Sequence, residues 1–88
     1  MDVVFKNSFL KELQKIKERA LTMRVKEVIE SIEQVGALQE ITNLKSLKGS
    51  TGYHRIRVGD YRIGLRFEGE TVILIRFLHR KEVYHYFP

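Results

Sequence analysis

Apolar residues recur at three- and four-residue intervals through the first third of the chain and at alternate positions after residue 52, so helices precede strands. Val3, Val4 and Phe5 form a short candidate strand. Asn7 or Ser8 can cap a helix in which Phe9, Leu13, Ile16 and Ala20 share a face, with Leu10 beside them. Thr22 can cap a second helix carried by Val25, Val28, Ile29, Ile32 and Val35, and Gly36 is a suitable stop. The Lys and Glu residues on the remaining helix faces read as solvated surface. Residues 37 to 52 end in a polar, glycine-bearing stretch and read as a loop.

Residues 53 to 62 read as a β-hairpin turning at Gly59-Asp60, a pair suited to a two-residue type II′ loop. That turn sets Val58 opposite Tyr61, Arg57 opposite Arg62, Ile56 opposite Ile63 and Arg55 opposite Gly64. Alternate residues along a strand share a face. Ile56, Val58, Tyr61, Ile63 and Leu65 therefore fall on one side, and Arg55, Arg57, Arg62 and Arg66 on the other. Thr71 to Leu78 is nearly all apolar apart from Arg76 and suits a central strand buried on both faces. The Glu68-Gly69-Glu70 turn fits two loop lengths: a two-residue loop puts Arg76 opposite Tyr61, whereas the favoured three-residue loop puts it opposite Arg62, with Ile73, Ile75 and Phe77 on the core side. The segment from His79 to Tyr86 is a short polar-aromatic tail. The expected fold is α+β, β-α-α-β-β-β, in one domain spanning residues 1–88. Two N-terminal helices pack on the apolar face of a small, mainly antiparallel four-stranded sheet, leaving the arginine face open.

Composition narrows the function. The chain carries no cysteine, which removes disulfides and thiolate metal sites. An apolar signal core and a run long enough to span a membrane are both missing, so the expectation is a cytoplasmic protein. The net charge of +5 points to nucleic acid or an acidic protein as partner. Like charges placed opposite each other destabilise a sheet, so a face crowded with guanidinium groups suggests an anionic ligand. Arginine offers a planar fork matched to phosphate oxygens and stays charged. Tyr53, Tyr84, Tyr86 and the histidines supply flat surfaces for unpaired bases. Gly-rich phosphate loops and paired zinc-spaced histidines do not occur. Asp60 reads as a turn former and His54 as a structural histidine on the core face. His79 and His85 follow the last strand, and histidine is a natural proton carrier near neutral pH.

Three segments in combination carry a family resemblance. They are Leu47-Lys48-Gly49, Tyr53-His54-Arg55-Ile56-Arg57-Val58-Gly59-Asp60-Tyr61-Arg62, and His79-Arg80-Lys81-Glu82-Val83-Tyr84. Together they resemble the RelE/ParE superfamily of type II toxins, over essentially the whole chain. The resemblance implies a toxin partnered by a cognate antitoxin. In the RelE branch it further implies ribosome-dependent, metal-independent cleavage of mRNA without a cofactor, in which the ribose 2′-hydroxyl attacks the adjacent phosphorus. By position, Arg55 and Arg57 match the family's basic pair, often lysine, of which one member acts in proton transfer. Arg62 matches the arginine that steadies the reacting phosphate, and Arg80 a second phosphate-binding arginine. Tyr84 matches the tyrosine that stacks on a base or assists proton transfer, and His79 is a candidate acid or base. Lys45, Lys48, Arg57 and Arg66 are the expected RNA-holding residues. The same fold also serves ParE-like, non-enzymatic inhibitors of DNA gyrase and inactive relatives that only bind an antitoxin, so fold alone does not decide.

Overall fold

The alternation after residue 52 produces three long antiparallel strands, and the rest of the chain is arranged around them. The computed structural model describes residues 1–47, 49 and 52–88. Its elements are β1 (Asp2–Phe5), α1 (Asn7–Gln14), α2 (Arg19–Gln34), a 3₁₀ turn at Leu38–Glu40, β2 (Leu44–Ser46), β3 (Tyr53–Val58), β4 (Tyr61–Glu68), β5 (Thr71–His79) and α3 (Val83–Tyr86). The strands form one sheet in the order β1-β5-β4-β3-β2, with β1 parallel to β5 and the other pairs antiparallel.

The α+β class and the two N-terminal helices agree with the sequence reading, but the sheet has five strands rather than four. The added strand is β2, inside the segment read as a loop. It pairs Leu44 with Ile56, Lys45 with Arg55 and Ser46 with His54. Three residues are too few to show alternation, so only pairing with β3 reveals it.

The Gly59-Asp60 hairpin has the expected register throughout. Gly59 takes φ +60°, the left-handed region that the first position of a II′ turn needs. The β4–β5 connection differs from the expectation. It is a two-residue turn at Gly69-Glu70, followed by a bulge between Gly64 and Leu65 that leaves Ile75 unpaired. Arg76 therefore faces Gly64, and Arg62 faces Leu78. Ile73 lies opposite Arg66 on the arginine face, and Ile75 packs with Leu78, Val83 and Phe87, so neither joins Phe77 on the helix side.

Phe9, Leu21, Val25 and Ile32 from the helices bury against Ile56, Val58, Ile63, Leu65, Val72, Leu74 and Phe77 of the sheet. This is the main apolar core, and its burial drives the fold. The break between the helices falls at residues 15–18, earlier than the apolar spacing suggests, and Thr22 lies inside α2 with its hydroxyl donating to Arg19 O at 2.9 Å. The reason is tertiary. β1 ends after pairing Phe5 with Leu74, and α1 then covers the exposed edge of β5. The Ser8 hydroxyl donates to Ile75 O, and the Phe77 N–H donates to Glu12 Oε1 at 2.9 Å. Two α1 side chains thus do what a neighbouring strand would do for buried backbone groups.

The arginine face is not left entirely open. The tail folds back as α3, and Leu78, Val83 and Phe87 make a second apolar cluster there with Leu47, Tyr53 and Ile75. Phe87 lies flat on Gly64, where an added Cβ would come within 2.7 Å of the ring. A glycine inside a strand often marks such a close approach. Among the described residues, no helix is long and apolar enough to cross a membrane.

Candidate nucleic-acid interface

The hairpin, the short strand β2 and the folded-back tail meet in one open groove of ≈ 410 Å³. It is lined by Asn43, Leu44, Lys45, Arg55, Arg57, Arg62 and Tyr84. Each cation comes from a strand. Lys45 sits beside Arg55 across the β2–β3 pair, and Arg57 sits beside Arg62 across the β3–β4 pair. Strand-borne side chains hold position better than loop-borne ones, which suits recognition of a fixed phosphate geometry.

Arg62 is the most constrained of these groups. Its Nη1 donates to Gly59 O at 3.0 Å and to Tyr61 O at 2.9 Å, which pins the guanidinium over the turn. Burial holds its pKa below the usual arginine value, with Arg57 and then Arg55 adding to the effect and Arg80 contributing further. The group stays protonated, so the shift measures how much positive charge the fold has concentrated here. An anion would relieve that repulsion.

Tyr84 closes the groove from α3. Its ring lies over the Arg55 guanidinium, 4.7 Å from Cζ to centroid, while 72% of the residue remains exposed. A cation–π contact of this kind orients the ring and leaves its outer face free for a base. On the far side of Tyr84 a second depression of ≈ 380 Å³ is lined by Lys45, Ser46, Leu47, Arg55, Tyr84, Phe87 and Pro88. The two depressions share Lys45, Arg55 and Tyr84. One side is rich in guanidinium groups, and the other offers an apolar wall.

The structure thus brings together Arg55, Arg57, Arg62, Lys45 and Tyr84. Arg80 flanks them. Its backbone N–H donates to Asp60 O at 2.8 Å, and its Nε stands 3.9 Å from Asp60 Oδ1, both side chains being largely exposed. Arg66 stands apart, paired with Glu68 at 2.7 Å. His79 is not brought into the groove. It lies opposite Tyr61, packs edge-on to that ring at 5.3 Å, and its Nδ1 accepts the Lys81 N–H at 3.1 Å. The imidazole therefore shapes the turn into α3. Lys48 lies outside the described residues. His54 keeps its structural reading, with Nδ1 3.1 Å from Gly52 O and the ring edge-on to Phe67.

Two contributors escaped the sequence reading. Asn43 lines the groove with a left-handed backbone, φ 63°, a conformation asparagine tolerates better than most residues. Glu12 holds Arg76 through bonds from Nε at 2.9 and 3.1 Å and from Nη2 at 2.6 Å, which leaves that arginine out of the basic groove. The sequence offers no signal for that pair, since its members lie 64 residues apart.

Comparison with known proteins identifies relatives in sequence and in fold. Residues 3–84 match the family model of the ParE toxin of type II toxin-antitoxin systems, parDE. The chain is 40% identical over 89 residues to Toxin RelE3 of Methanocaldococcus jannaschii, covering the whole of both chains. It superposes on the RelB-RelE antitoxin-toxin complex from Methanococcus jannaschii with a TM-score of 0.82 at 39% identity, covering 97% of this chain and 99% of the other. The archaeal RelE-RelB complex from Pyrococcus horikoshii matches with a TM-score of 0.71 over 90% of this chain and 93% of that one. At 22% identity this likeness speaks for the fold alone.

Proposed function

The chain belongs to the ParE toxin family of type II toxin-antitoxin systems, and from that premise we propose that it is an endoribonuclease toxin that cleaves mRNA on the ribosome and is held in check by a RelB-type antitoxin. The observation that carries this reading is the convergence of Arg55, Arg57, Arg62 and Lys45 with Tyr84 around one groove. Several cations favour a polyanion, and a half-free aromatic face favours an unpaired base.

The chemistry asks little covalent work of the protein. The ribose 2′-oxygen attacks the adjacent phosphorus, the bond to the 5′-oxygen of the next nucleotide breaks, and the products are a 2′,3′-cyclic phosphate and a 5′-hydroxyl. One proton leaves the 2′-hydroxyl and one is delivered to the departing 5′-oxygen. Negative charge builds on the non-bridging oxygens in the transition state, where Arg62, already fixed by two carbonyl contacts, stabilises it without reorganising. Arg55 and Arg57 hold the flanking backbone, Tyr84 stacks on the base beside the scissile bond, and Arg80 supplies a second phosphate contact from the rim.

Arginine does not give up its proton under ordinary conditions. The proton steps therefore fall to Lys45 and Tyr84, the two groove-lining side chains that can exchange one. Lys45 is opposite Arg55, so an amine stands beside that guanidinium in the groove. The mechanism needs no metal, and the protein works in the cytoplasm, where ribosomes are.

The test is cleavage of mRNA on programmed ribosomes. Wild type is expected to cut within the A site and to leave 2′,3′-cyclic phosphate ends, and Arg62→Ala to lower the rate by about 10²–10³-fold. Intact mRNA together with stalled DNA gyrase complexes in a supercoiling assay would replace this reading with the gyrase-inhibitor one.

A further inference from the structure

A helix of only four residues does not hold itself together in water, yet α3 (Val83–Tyr86) presents Tyr84 at a fixed place over Arg55. Three contacts outside the helix account for this. Val83 is buried at its start, Phe87 lies on Gly64 just past its end, and Arg76 reaches its last turn. Arg76 Nη1 donates to Tyr86 O at 3.0 Å, a carbonyl that α3 itself leaves without a partner, and its guanidinium lies 5.9 Å from the centre of the Tyr86 ring. The remaining donors of Arg76 go to Glu12 of α1, with a closest contact of 2.6 Å. Glu12 Oε1 also accepts the Phe77 N–H from the strand that carries Arg76. With the Glu12 and Arg76 side chains only 16% and 27% exposed, the pair is largely removed from water.

We propose that Glu12 and Arg76 are positioning residues for Tyr84: the α1 carboxylate orients the Arg76 fork, the fork caps α3, and α3 holds the tyrosine against the reactive groove. The inference rests on the proposed RNA-cleaving reading for its effect on rate, but not for its effect on α3. Neither residue lines the groove. The bidentate geometry matters because a rigid fork can satisfy the carboxylate and the Tyr86 carbonyl at once, whereas a lysine ammonium is a single point on a flexible stem. The strength of the tie also follows from chemistry. Glu12 retains its charge-assisted bonds only while both partners are ionised, and the Arg76 pKa is raised chiefly by the hydrogen bond to Glu12.

The experiment combines Glu12→Gln and Arg76→Lys with Tyr84→Ala. Glu12→Gln keeps an oxygen for the Phe77 N–H and removes the charge that orients Arg76. Single-turnover cleavage at saturating toxin is expected to slow about tenfold or more in each single variant, with the toxin concentration for half-saturation unchanged. In the Tyr84→Ala background neither change should slow the reaction further, because the tyrosine they position is already gone. An equal loss in both backgrounds, or a loss confined to half-saturation, overturns the proposal. Hydrogen exchange gives a reading independent of catalysis. The amides of His85, Tyr86 and Phe87, which bond to Glu82 O and Val83 O, should exchange at least tenfold faster in both variants, with the β4–β5 amides unchanged. If wild type fails to cleave mRNA but this exchange result holds, the RNA reading falls and the positioning device stands. If those amides exchange as in wild type, the device falls whatever the activity.

Discussion

Replacing Gly64 with alanine adds a methyl group where Phe87 lies. The new Cβ would stand 2.7 Å from Phe87 Cδ1 and 2.8 Å from two further ring atoms, well inside van der Waals contact. Gly64 is on a central strand paired on both sides, with Arg55 across β3 and Arg76 across β5. The backbone has little room to yield, so the ring must. Forcing the methyl into place costs about 1–3 kcal/mol as overpacking. The cost is capped by the alternative of releasing Phe87, which is 6% exposed and whose burial contributes about 1.5–3 kcal/mol. A loss of about 2 kcal/mol follows, and for a domain of this size it lowers the unfolding midpoint by roughly 8–16 °C. The release also frees α3, so cleavage should fall with it. Thermal unfolding by circular dichroism, run as a cycle with Phe87→Ala, is the assay. In the Phe87→Ala background the Gly64→Ala step should cost nothing, because the clash partner is gone. A Gly64→Ala protein as stable as wild type, or one losing the same amount in both backgrounds, refutes the reasoning.

Other expectations follow from the groove. Arg62→Gln should abolish most cleavage yet raise stability by about 0.2–1 kcal/mol, since it removes a like charge facing Arg57. The sign follows from linkage. Burial, Arg57 and Arg55 lower the folded pKa of Arg62, so its charge costs stability at every pH below that value. A variant less stable than wild type in urea unfolding would contradict this. Lys45→Arg should bind single-stranded RNA as wild type does but cleave slowly, because it keeps the charge and replaces the amine with a guanidinium that does not give up its proton; undiminished cleavage removes Lys45 from the proton steps. Four cations line the groove, so the log–log salt dependence of single-strand binding should have a slope of about −3, and Arg57→Ala should make it shallower. Arg66→Ala should affect cleavage less than Arg57→Ala, because Glu68 already holds the Arg66 guanidinium; the reverse order would place RNA on that side of the sheet.

Much of this was legible in the residues themselves. Hairpin register is a local property, set by a two-residue turn, and Gly59-Asp60 specified it. Because strand side chains alternate, that register alone put Arg55, Arg57 and Arg62 on one face and Ile56, Val58 and Ile63 on the other. The basic wall of the groove therefore came from sequence and stereochemistry. Wherever position depended on partners distant in the chain, the reading stopped short. Three residues of β2 carry no period, yet pairing with β3 brings Lys45 beside Arg55. The two-residue turn at Gly69-Glu70 and the bulge at Ile75 each moved the register by one residue, and together they shifted Arg76 from Arg62 to Gly64. His79 had the right chemistry, but the strand's alternation sends it to the helix side beside Tyr61. Tyr84 was recognisable as a residue, and only the folding back of the tail onto Gly64 and Arg76 decided that it meets Arg55. The sequence by itself determined which charges the sheet displays, because turns and alternation act over a few residues. Tertiary packing decided which of those charges share a groove and what closes it, because those contacts join residues that only the completed core brings together.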